Sequence, residues 1–213
     1  MIFDGRFARL TRIAALIVAP PLLALAYDRI CANALYSAAL AYVPIIFGGI
    51  GLVARSTFDA VTDRANPRLE FSGKGAFVGS AASFFLLLVA APQGADRTAL
   101  VALFISSLAF YYAVGKAGCL FLGCCRAVVP GRFPLPAIEA LWSLAIGLAA
   151  LATLYQTARL RLLAFAAIVA CLLALRVFSR CRRGSNLRSA LGQIDSLALA
   201  ALACVAAAMA WLS

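Results

Sequence analysis

Residues 115–139 read GKAGCLFLGCCRAVVPGRFPLPAIE, and they interrupt a chain that is otherwise almost entirely apolar. These 25 residues hold Lys116, Arg126, Arg132 and Glu139, the cysteines 119, 124 and 125, four glycines and three prolines. On either side lie the apolar segments 98–114 and 137–156. The polar groups therefore fall at or inside a bilayer boundary, where an unpaired charge is costly and commonly marks a site. Gly115, Gly118, Gly123 and Gly131 allow close backbone approach, and exposed N–H groups beside cations suit an anion such as a phosphate. A re-entrant turn whose basic residues reach toward lipid headgroups fits the same pattern.

Working outward, 65% of the 213 residues are hydrophobic and only 13% are charged. That composition predicts an all-α, polytopic membrane protein forming a single transmembrane domain over residues 1–213. Continuous apolar stretches, without alternation, exclude a β-barrel. Seven segments stand out: 10–26, 33–54, 75–91, 98–114, 137–156, 160–178 and 191–212. Each approaches the ~20 residues needed to cross a bilayer, the first and third being short. The quoted stretch then forms a loop or re-entrant motif after the fourth span. Pro20 and Pro21 predict a kink in the first segment. Arg6, Arg9 and Arg12 before that segment, with Ala24-Leu25-Ala26 after it, also fit a signal peptide, although Tyr27-Asp28-Arg29-Ile30 ahead of Cys31 is not a lipobox.

The net charge is +11, and no histidine occurs anywhere, which removes the commonest general base and the commonest metal ligand. The cations collect at segment ends with no basic and aromatic groove, so the expected partner is anionic lipid and not nucleic acid. Seven spans would place 15 Lys/Arg on one face and 4 on the other. That asymmetry fits ordinary cytoplasmic loops under the positive-inside rule. It equally fits an arginine-lined basin for a lipid phosphate, whose oxygens match the guanidinium fork.

Cys119, Cys124 and Cys125 are spaced C-x4-C-C without histidine, a poor match to zinc ligation, so neither metal nor cofactor is expected. A disulfide among them needs an oxidising face, and a covalent intermediate on Cys124 or Cys125 is a further option. Cys31, Cys171 and Cys204 read as small packing residues. Gly48, Gly49 and Gly51 suit close helix packing.

Several of these motifs, in this order, resemble the prolipoprotein diacylglyceryl transferases. Gly115-Lys116-Ala117-Gly118-Cys119-Leu120 is similar to that family's Gly-Arg-x-Gly-Asn-Phe. Arg132-Phe133-Pro134 with Ile138-Glu139 resembles its Arg-His-Pro followed by Tyr-Glu. Lys74-Gly75-Ala76-Phe77-Val78-Gly79 resembles its His-Gly-Gly-x-x-Gly, Arg176 with Arg180 its late Arg-x-x-x-Glu, and Gly192-Gln193 the opening of its last span. The resemblance implies transfer of a diacylglyceryl group from phosphatidylglycerol to the cysteine thiol of a lipoprotein precursor, in the bacterial plasma membrane. It implies catalytic roles for Lys74, Lys116, Arg132, Glu139 and Arg176. Substrate contacts would come from Gly75, Gly79, Gly118, Cys119, Arg126, Arg180 and Gln193.

The departures are chemical. Lys74 stands where the family has histidine, Lys116 where it has arginine, Cys119 where it has asparagine, and Arg180 where it has glutamate. An ammonium must first shed its proton to act as a base, and losing a positioned base typically costs about 10²–10⁴ in rate. The expected phosphate cradle is Lys116, Arg132 and Arg176, with Lys74 facing it and Glu139 pairing with Arg132 or Arg176. A carboxylate at a bilayer edge needs such a partner. The alternative is a non-catalytic subunit that binds anionic lipid or assists assembly with a membrane partner on the same scaffold. A transporter is disfavoured by the lack of an evident inverted repeat. The family's orientation puts the basic face outside, against the positive-inside rule, and we adopt the family's orientation as the expectation.

Overall fold

The computed structural model describes residues 5–62, 73–122 and 134–157, together with nine helical positions between 160 and 174. All regular structure among the described residues is helical. Five α-helices follow in order: α1 (Gly5–Cys31), α2 (Ala34–Thr62), α3 (Gly73–Val89), α4 (Arg97–Leu122) and α5 (Leu135–Ala152), the last running into a short 3-10 turn, Thr153–Tyr155. They coincide with the first five apolar segments. The sixth segment is described only in part, and the seventh, with residues 123–133 between α4 and α5, lies outside the described residues.

Among the described residues, four stretches are long and apolar enough to cross a membrane: Ile13–Cys31, Ala34–Ala54, Arg97–Leu120 and Leu135–Tyr155. At 1.5 Å per residue each reaches about 30 Å, the thickness of the hydrocarbon layer. The apolar run of α3, Val78–Val89, is shorter. Large apolar side chains such as Leu16, Ile17, Ile46, Ile50, Leu86, Leu141 and Leu148 point outward from these helices. Hydrocarbon accommodates such a surface where water would not.

The chain forms two compact units, residues 19–100 and residues 1–18 with 101–213. In the first, α1 continues through Pro20 and Pro21 without ending. It stops at Ala32, whose φ of 48° is left-handed, an unusual conformation for a residue with a Cβ. Asn33 then caps α2, its Oδ1 accepting the Tyr36 N–H at 3.0 Å. α2 packs on α3 at very short range. A Cβ on Gly79 would lie 2.2 Å from the Phe47 carbonyl oxygen, and one on Gly48 would collide with Ser80. Ser80 Oγ donates to the Pro44 carbonyl at 2.7 Å, and the Tyr36 hydroxyl donates to the Leu87 carbonyl at 2.5 Å. Gly48 therefore does what its sequence predicts, but Gly49 does not: it is exposed, with open space where a Cβ would project. Asp96 closes this unit by capping α4, accepting from Thr98 Oγ1 at 2.6 Å and from the Ala99 N–H at 3.1 Å.

The second unit has its core between α4, α5 and the helical positions beyond 160: Ala102, Ala109, Ile146, Ala150, Phe165 and Ile168. Ser106 on α4 donates to the Gly147 carbonyl of α5 at 2.9 Å. The Phe110 ring packs directly over Gly147, 3.0 Å from where a Cβ would stand. Small residues thus bring the two helices close, as membrane helices generally require. Pro134 and Pro136 start α5, where proline's missing N–H has no intrahelical partner to lose.

Candidate functional site

Close apposition of α4 and α5 brings two charged side chains together. Lys116 lies in the last two turns of α4 and Glu139 is the fifth residue of α5. Lys116 Nζ stands 2.5 Å from Glu139 Oε2. The carboxylate side chain is 1% exposed and the lysine side chain 15%. The ammonium also lies 5.1 Å from the centre of the Tyr112 ring, one helical turn back along α4. That distance is within cation–π range. Ser143, one turn further along α5, donates its hydroxyl to the Glu139 carbonyl at 2.8 Å.

The sequence explains this geometry. Tyr112, Lys116 and Cys119 are spaced i, i+4, i+7 and share one face of α4. Gly118 is buried. Cys119 is half-buried. A lysine and a glutamate between apolar helices each carry a large desolvation cost, which their mutual pairing offsets. Removing one partner alone leaves a buried charge uncompensated. Among the described residues no group of His, Cys, Asp or Glu could hold a metal ion.

Of the residues expected at the site, the structure brings Lys116, Glu139, Gly118 and Cys119 onto the facing α4–α5 pair. Lys116 is a partner of Glu139 there; Arg132 and Arg176, with which Glu139 was expected to pair, lie outside the described residues. Glu139 is also fully buried. Lys74 and Gly75 belong to the first turn of α3, and Gly79, in the same helix, is packed against the backbone of α2. Arg126, Arg180 and Gln193 lie outside the described residues. Cys31 is buried, as a packing residue should be, but Cys171 is on the surface.

Tyr112 was not expected. Its sequence signal is an aromatic residue four positions before the single lysine of an apolar helix, a spacing that always stacks side chains on one face. Tyr111 was missed as well: its hydroxyl is buried and has no hydrogen-bond partner among the described residues. Comparison with known proteins returned no matching family model, no matching curated protein and no matching solved structure.

Proposed function

We propose that this chain is a bacterial plasma-membrane protein with seven spans that binds an anionic glycerophospholipid by its phosphate and transfers the diacylglyceryl group to a thiol. One observation carries the reading. An apolar pair of membrane helices encloses a lysine and a glutamate, next to a glycine-bounded stretch rich in further cations. Ionisable residues buried at such positions are expensive to keep and commonly serve a polar substrate. An ammonium has three donors, so pairing with one carboxylate does not exhaust its capacity toward a phosphate.

The reaction needs little beyond charge. The acceptor's thiolate attacks the glycerol carbon that bears the phosphate, a C–S bond forms and the C–O bond breaks. Its electron pair leaves with glycerol phosphate. Cations at the phosphate stabilise that departing charge, and the same field favours thiolate over thiol. Lys116, with Arg132 from the neighbouring stretch and Arg176, would supply them. The resemblance to the diacylglyceryl transferases at Lys116, Arg132, Glu139 and Arg176 supports this assignment.

The test is reconstitution of the full chain in liposomes with labelled phosphatidylglycerol and a lipobox peptide. Label moves to the peptide thiol with the parent, and Lys116→Met loses at least about tenfold, the value of one charge-assisted contact. Binding of phosphatidylglycerol without transfer to any thiol peptide would instead favour the lipid-binding or assembly subunit.

A further inference from the structure

Glu139 poses a question that phosphate binding alone does not answer. The pairing offsets the cost of burying Lys116, yet a carboxylate 2.5 Å from the lysine opposes the binding of an anion there. We infer that Glu139 sets specificity at this site by discriminating the charge of the phosphate: it admits the monoanionic phosphodiester of an intact phospholipid and disfavours the dianionic phosphomonoester. The inference rests on the phosphate-binding reading of Lys116 given above.

The argument is electrostatic. A phosphodiester carries one negative charge at neutral pH, whereas a phosphomonoester approaches two above its second ionisation. Every cation at the site favours the dianion over the monoanion. A fixed carboxylate has the opposite effect, and its burial limits screening by water and salt. Glu139 need not touch the ligand for this, since it acts across the ammonium they share. Tyr112 helps to hold the ammonium over the ring face while both anions draw on it. The consequence for turnover follows from the reaction's own stoichiometry. The substrate is a phosphodiester and the leaving group a phosphomonoester, so the carboxylate that tolerates the first helps expel the second. It also lowers the affinity for phosphatidic acid, a lipid phosphomonoester of the same apolar body.

The ionisable groups on the two helices near the pair are Tyr111, Tyr112, Lys116 and Cys119 on α4 and Glu139 on α5. The titration on which the test relies is the ligand's own. Binding of the full chain to vesicles of phosphatidylcholine doped with either phosphatidylglycerol or phosphatidic acid would be measured for the parent, Glu139→Gln and Lys116→Met. As pH rises through the second phosphate ionisation, about pH 6, the parent's binding to phosphatidic acid should gain less than that of Glu139→Gln, because the carboxylate opposes the cations. Glu139→Gln should raise the ratio of phosphatidic acid to phosphatidylglycerol binding about ten- to hundredfold, the effect of removing one charge at short range. An unchanged ratio would overturn the inference while leaving the phosphate site intact. Lys116→Met binding both lipids as the parent does would remove the site itself. An equal gain in phosphatidic acid binding with pH for the parent and Glu139→Gln would be equally fatal.

Discussion

The α2–α3 and α4–α5 pairs are both close contacts between apolar helices, made by different means. α2 meets α3 through glycine and backbone: Gly79 lies against the Phe47 carbonyl, and Ser80 donates to the Pro44 carbonyl. α4 meets α5 through a small-residue contact at Gly147 and, nearer the polar stretch, through the Lys116–Glu139 pair. The contacts described for the first arrangement involve only neutral groups, whose hydrogen bonds across membrane helices contribute about 0.6 kcal/mol each. The second commits two full charges where neutral packing would have sufficed. Replacing a buried ion pair by apolar residues is often neutral or stabilising. Adhesion alone therefore does not account for Lys116 and Glu139, and the site argument begins from that contrast.

The largest effect should come from splitting the charged pair. Glu139→Ala leaves a buried ammonium without its carboxylate and should lower stability by about 3–5 kcal/mol. Lys116→Met with Glu139→Leu should recover most of that loss while abolishing lipid binding. Unfolding in mixed micelles as sodium dodecyl sulfate is raised would measure both. A double variant no more stable than the single one would mean that the pair holds the helices together, and the contrast would collapse.

A smaller effect is expected in the neutral pair. Gly79→Ala forces a methyl against the Phe47 carbonyl, so α3 must back away, at a cost of about 1–3 kcal/mol. Gly49→Ala, two positions along from Phe47 on the same helix, meets open space and should change stability by no more than about 0.5 kcal/mol. The same unfolding assay separates them. Equal losses at Gly79 and Gly49 would show that α2 and α3 do not approach as described.

Much of the fold was legible because membrane helices announce themselves by length. The five described helices follow the first five apolar segments, and the shortness of α3 was apparent in its sequence. What sequence could not supply was azimuth, the direction each residue faces around its helix. Gly48 and Gly49 are neighbours of identical type, and only their angular positions decide that one packs and the other is exposed. Glu139 posed the same difficulty. A carboxylate four residues into a helix reads as a boundary group until the helix is rotated to bury it. The pairing with Lys116 depends on how α4 and α5 are matched in depth, a tertiary fact with no local signature. Tyr112 sat in plain view at i−4 from Lys116, but it acquires meaning only once the ammonium is known to stay at that depth.

The central claim is that the charged pair between α4 and α5 marks a site for anionic phospholipid. Mass spectrometry of the lipids that stay bound through detergent purification addresses it most directly, comparing the parent with Lys116→Met. The account predicts phosphatidylglycerol enriched over its share of the host membrane in the parent, and that enrichment lost in the variant. The same lipids in the same proportions in both proteins would contradict it.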